Sequence, residues 1–110
     1  MRRVYAKHEP YTDGHLAQVV ADMRLAGPPT IRAVELWGEL FALEGSHRLA
    51  SANYLGLEPK LVVLVHDGSD LPMHWEKVKK TLPIYEFERV HVLDLNTAFQ
   101  KREIDELFSL

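Results

Sequence analysis

The stretch Leu43-Glu44-Gly45-Ser46-His47-Arg48-Leu49 decides how the chain is read. Leu40 to Leu43 run into it as an apolar strand, and Leu49, Ala50, Ala52 and Leu55 leave it as a helix that stops at Gly56. A helix start offers unpaired backbone N–H groups and a partial positive charge. Gly45 lets an anion come close to the main chain, and Ser46, His47 and Arg48 can donate hydrogen bonds to it. The hinge is therefore a candidate phosphate seat, which names a class of ligand and not a reaction.

Upstream, Thr30 to Trp37 reads as a strand joined through a Gly38-Glu39 turn to Leu40–Leu43, a β-hairpin. Before it, Leu16, Val19, Val20 and Met23 fall at helical spacing, with Thr12 or Asp13 as cap and Gly27-Pro28-Pro29 as the stop. Val4 to Ala6 is a short strand, and His8-Glu9-Pro10-Tyr11 is a bend. Downstream, the run Leu61–Val65 suits a strand covered on both faces, and its order after strand and helix predicts a parallel crossover. Asp67 and Asp70 sit in a loop. Trp75, Val78 and Leu82 form one face of a short helix between Pro72 and Pro83, and Lys77, Lys79 and Lys80 its basic side. Tyr85 to Leu95 holds one more strand, centred on Arg89–Leu93. Asn96 or Thr97 caps a last helix whose apolar residues are Ile104, Leu107 and Phe108. The sum is a small mixed α/β (α+β) fold, a single domain over residues 1–110, with helices packed against one sheet.

Composition narrows the function classes. Of 110 residues, 46% are hydrophobic and 26% charged, an ordinary globular mix. The net charge of −3 is the wrong sign for a surface that binds DNA over its whole extent, although a local basic patch is compatible with it. With no cysteine there is no disulfide, thiolate site or cysteine nucleophile. No apolar segment follows Arg2 and Arg3, and Leu61–Val65 is too short to cross a bilayer, so a cytoplasmic protein is expected. His8, His15, His66, His74 and His91 form no H-x-H or H-x-x-x-H pair, so spacing gives no metal site.

Each hinge residue also has a plain structural reading. Gly45 suits a tight strand-to-helix turn, Ser46 an N-cap, and Arg48 an ion pair with Glu44. Ser46 and His47, being adjacent on a helix, do not make a catalytic pair. Trp37 and Trp75 read as packing residues, and no local pattern selects either for base stacking.

The stretch Pro29–Val65 resembles the ParB/sulfiredoxin superfamily (the ParB-like nuclease domain). The resemblance rests on the hairpin, the G-x-x-R motif Gly45-Ser46-His47-Arg48, the alanines Ala50 and Ala52, and the connection Gly56-Leu57-Glu58-Pro59 into an apolar strand. With the preceding strand, bend and helix, it covers residues 4–66. It implies a nucleotide-phosphate site at Glu44, Gly45, Ser46, His47 and Arg48, with ATP or CTP and Mg2+ as cofactor. The subfamilies fit in part. Sulfiredoxins have cysteine where this chain has Ser46, so their thiol chemistry does not carry over. ParB proteins have an acidic residue and two arginines after the glycine, where this chain has Ser46, His47 and a single Arg48. Free-serine kinases have a histidine just after the glycine, here one place later at His47, and a catalytic glutamate in the N-terminal bend, which implies Glu9 as base. The expected function is a nucleotide-binding domain, a small phosphotransferase or nucleotide hydrolase. The alternatives are a non-enzymatic DNA- or protein-binding module, and an accessory protein that docks, or forms a homodimer, through its C-terminal helix.

Overall fold

In Thr30–Leu36 neither set of alternate side chains is polar throughout: Ile31 and Ala33 are buried to one side, and Val34 and Leu36 to the other. Such a strand requires cover on both faces, and it has it. The computed structural model describes residues 1–10, 14–66, 71, 74–94 and 106. Among these the elements run β1 (Arg2–Tyr5), α1 (Gly14–Ala26), β2 (Thr30–Leu36), β3 (Glu39–Ala42), α2 (Ser46–Leu55), β4 (Lys60–His66), α3 (Trp75–Lys79), β5 (Ile84–Phe87) and β6 (His91–Asp94). The six strands form one mixed sheet in the order β5-β1-β3-β2-β4-β6, an α+β arrangement.

The expected hairpin is present, with its turn one residue earlier than Gly38-Glu39. Leu36 pairs with Glu39, and Trp37 and Gly38 make the turn. Both have positive φ, 49° and 81°, as a two-residue turn matched to strand twist requires.

The crossover prediction needs correcting. β3 and β4 do not run parallel side by side; they flank β2, β3 antiparallel and β4 parallel to it. The tight hairpin reverses β3, so α2 carries the chain back past β2 before β4 can pair. The single strand expected over Tyr85–Leu95 is in fact two, β5 antiparallel to β1 and β6 parallel to β4.

These two strands lie on opposite edges of the sheet, yet only Glu88, Arg89 and Val90 separate them. A flat sheet of this size is about 24 Å across, at about 4.8 Å per strand spacing. The link from Phe87 to His91 reaches about 14 Å at most. The sheet must curl until its edges approach.

Curling produces two cores. Val4, Ala6, Ile31, Ala33, Leu40, Ala42, Leu61, Val63 and Phe87 pack with Met23 of α1 and with Leu49 and Ala52 of α2. On the other face Tyr5, Val34, Leu36, Phe41, Leu43 and Leu64 pack with Val78 and Leu82 of the α3 region. The expected apolar stripe of α1 is only partly used: Met23 is buried, Leu16, Val19 and Val20 are half-buried, and Leu25 stays 92% exposed. Among the described residues no helix is long and apolar enough to cross a membrane. Thr12, Asp13, the Asp67–Asp70 loop and the C-terminal helix with its cap lie outside the described residues, apart from Glu106, whose carboxylate is 3.7 Å from Lys7 Nζ.

The second core has a polar margin. The rings of Tyr5 and Phe41 stack at 4.6 Å. The Tyr5 hydroxyl donates to Glu39 Oε1 at 3.1 Å, and Lys79 Nζ pairs with Glu39 Oε2. Burial first, then the hydrogen bond and charge of Glu39, hold the Tyr5 phenol above its ordinary value of 10.0. The hydrogen bond to Glu39 likewise raises Lys79. Both protons are bound more tightly in the folded chain. Their contribution is therefore complete below pH 10 and is lost as pH rises through the raised values. Urea midpoints should hold up to about pH 9 and fall above about pH 10. Tyr5→Phe should make that fall shallower, and an identical alkaline slope in the variant would contradict the assignment.

Candidate functional site

The Gly45 hinge takes the shape its sequence demands. Gly45 is the N-cap of α2 with φ 78° and ψ 33°, a left-handed conformation that disfavours any side chain. Space is short as well: a Cβ there would lie 3.2 Å from an Arg48 guanidinium nitrogen and 3.3 Å from Ile31 Cδ1. A glycine N-cap has no side chain with which to cap the helix. Ser46 is not the cap it was expected to be. It is the first helical residue, is buried, and its Oγ accepts the backbone N–H of His8 at 3.3 Å. That bond leaves the hydroxyl hydrogen unspent. One turn on, the buried Ser51 hydroxyl donates to His47 O at 2.8 Å, so this helix end carries a bond of its own.

Arg48 folds back across the hinge. Nη1 donates to Thr30 O at 2.9 Å and Nη2 is 3.8 Å from Glu44 Oε1. The same Glu44 oxygen accepts the Arg32 backbone N–H at 3.4 Å. Glu44 and Arg48 thus brace the strand–helix turn against β2, the structural reading of this pair. Their exposure keeps the ion pair itself weak, and the bond to the Thr30 carbonyl supplies the direction.

Histidines gather at this helix end. The His47 ring lies edge-on to His15 of α1 at 4.7 Å and to His8 at 5.9 Å between centroids. His8 Nδ1 is 2.7 Å from Glu9 O, and since a carbonyl only accepts, Nδ1 carries the hydrogen. Sequence reading set His8 and His15 aside, because positions so far apart show no ligand spacing. The signal lay in topology: β1 and β3 are parallel, Val4 opposite Leu40 and Tyr5 opposite Phe41. The segments that leave them emerge at the same end of the sheet, which sets His8 beside Ser46.

No family model, curated protein or solved structure matches this chain. What the site can do must be read from its own groups. Glu9 is exposed on the bend, and Tyr85 of β5 feels its charge: burial first, and Glu9 second, raise the Tyr85 phenol above its ordinary value. Among the described residues no group of three or more His, Asp or Glu could hold a metal ion. A cavity of about 490 Å³ lies elsewhere, between α1 and α2, lined by Leu16, Ala17, Val20, Arg24, Ala50 and Tyr54. Ser51 also lines it, and its surface is mostly apolar, with Arg24, Ser51 and the Tyr54 hydroxyl as its polar groups. The hinge brings together a helix start, the Ser46 hydroxyl and three imidazoles, groups of a kind that can donate to an anion.

Gly45→Ala should lower stability by about 1–2 kcal/mol through the left-handed backbone alone. Gly45→Asn should cost less, because asparagine tolerates that conformation. Equal urea midpoints for parent and Gly45→Ala would refute this account of the turn.

Proposed function

We propose that this protein binds a nucleoside triphosphate, ATP or CTP, with its terminal phosphates at the start of α2. The observation that carries the reading is the convergence of the His8, His15 and His47 rings on a helix start whose N-cap is a glycine. The first-turn N–H groups and the helix dipole favour negative charge there. The Ser46 hydroxyl and the imidazoles would add donors to the phosphate oxygens. Magnesium would arrive on the nucleotide and needs few protein ligands. The likeness of Pro29–Val65 to the ParB/sulfiredoxin superfamily supports the same seat.

In this reading Gly45 gives close backbone approach, and Glu44 with Arg48 keeps the turn in shape. The Arg48 charge also lies within reach of a phosphate at the hinge. Glu9 is the carboxylate assigned as base for an acceptor hydroxyl or a water, which would make the domain a small phosphotransferase or nucleotide hydrolase. A chain without cysteine suits the reducing cytoplasm in which these nucleotides are abundant.

The test is a thermal titration with ATP, CTP, GTP and ADP, each with and without magnesium. A ligand that binds only the folded chain raises the Tm as its concentration rises. His47→Asp separates binding from folding, since a carboxylate in the first turn suits the helix dipole but repels a phosphate. Its unliganded Tm should equal or exceed that of the parent, while nucleotide affinity should fall by about ten-fold or more. If no nucleotide shifts the parent at millimolar concentration, the hinge is a structural turn only.

A further inference from the structure

Trp37 is the one non-glycine with positive φ among the described residues. The first position of such a turn ordinarily belongs to asparagine, aspartate or glycine, and a bulky residue there is an outlier. Burial does not explain the choice, because Trp37 is 57% exposed. A strained backbone holding an aromatic ring in water points to a role for the ring itself.

The ring does not stand alone. It lies 4.6 Å from Trp75, tilted by 45°. Lys79 Nζ sits 5.7 Å from the Trp75 ring and 5.9 Å from the Tyr5 ring, which is stacked in turn on Phe41. An aromatic row thus runs from the core to the surface, with Trp37 at its solvent end. Next to it, Met1, Arg2, Arg3, Tyr5, Gly38 and Glu39 line a cavity of about 210 Å³.

The charges here are unequal. Glu39 is taken by Lys79 and the Tyr5 hydroxyl, and Glu86 by Arg3. Arg2, Lys77 and Lys80 are exposed and make no ion pair with any described residue, and neither does the exposed Glu76 beside Lys77. The chain is acidic overall, at −3, yet the elements around the hairpin tip keep unspent positive charge. A flat π surface with unpaired cations on the neighbouring strand and helix matches a ligand that carries planar rings on a phosphate backbone.

We infer that the hairpin tip, with Trp37 as its stacking platform and Arg2, Lys77 and Lys80 as phosphate contacts, binds single-stranded nucleic acid. A duplex hides the base faces that Trp37 would stack on. A membrane surface would ask for an apolar face, and here one ring projects. The hairpin tip and the α2 hinge lie at opposite ends of β3, so this site is independent of the nucleotide seat.

Fluorescence anisotropy of an end-labelled oligo(dT) of about 12 nucleotides tests it, beside a duplex of equal length. The single strand should bind, and more weakly at about 200 mM salt than at about 50 mM. Trp37→Asn should weaken binding by about ten-fold or more while its Tm equals or exceeds that of the parent, because asparagine relieves the turn. Lys77→Ala with Lys80→Ala should weaken binding and flatten the salt dependence. Four results would each overturn the inference: no binding by the parent, equal affinity for the duplex, unchanged affinity in Trp37→Asn, or a lower Tm in Trp37→Asn, which would make the ring a packing residue. Binding to phosphatidylserine vesicles without binding to oligo(dT) would overturn it too, and assign the tip to a membrane surface.

Discussion

β1 is four residues long, and its parallel pairing with β3 is the constraint on which the rest depends. Val4 enters one core and Tyr5 the other, so this short strand helps to seal both faces. Each such side chain contributes about 1.5–3 kcal/mol when fully buried. Direction matters more than energy here. Because β1 and β3 run the same way, the bend after Ala6 and the turn after Leu43 emerge together. The His8 N–H then meets the Ser46 hydroxyl, and α1 starts close enough for His15 to touch His47. Were β1 antiparallel to β3, its bend would emerge at the hairpin tip and the hinge would be left with Ser46, His47 and Arg48 alone.

A second constraint comes from chain length. Three residues link the two edge strands, so the sheet cannot lie flat. Its curl places Phe87 of β5 and Leu61 and Val63 of β4 in one cluster, although three strands separate their positions in the sheet. The link is held at its far end, where His91 N–H donates to Pro59 O at 3.1 Å and Arg89 faces Glu58 at 3.7 Å. Curvature of this kind gives the helix-bearing face more contact per strand than a flat sheet could.

Local pattern revealed the parts of the fold that local chemistry controls. Two apolar runs around Trp37-Gly38 announced the hairpin, Gly27-Pro28-Pro29 the end of α1, and Gly56 the end of α2, where φ is 70°. The parts set by pairing partners were not legible. The apolar run of β4 fits a strand beside β3 as well as one beside β2, and only the reversal of β3 decides between them. One apolar run after Pro83 concealed two strands, because a short break at Glu88-Arg89-Val90 carries neither glycine nor proline. For the site, Gly45 was legible because its left-handed φ is a property of one residue. The contributions of His8 and His15 were not, since distant positions meet only through strand direction. The exposure of Trp37 was not legible for a related reason: the turn falls one residue earlier than the Gly38-Glu39 pair suggests, and that shift moves the ring from a strand face to a hairpin tip, where it packs on Trp75.

The two ends of the sheet hold their positive charge differently. At the hinge, Arg48 is tied to Thr30 O and Glu44, so the groups that would face an anion are short and fixed: the helix start, a hydroxyl and imidazole rings in T-shaped contact. Such groups lose little conformational freedom on binding. They suit a compact ligand that must be placed with accuracy, as a terminal phosphate must be for transfer or hydrolysis. Near the hairpin tip the spare cations are long, exposed side chains on β1 and α3. Lysine and arginine there could follow a flexible backbone, while Trp37 would supply a platform indifferent to which base it meets. Rigid donors at one end and mobile ones at the other are a physical reason to assign the two ends different ligands, even though phosphate would be common to both.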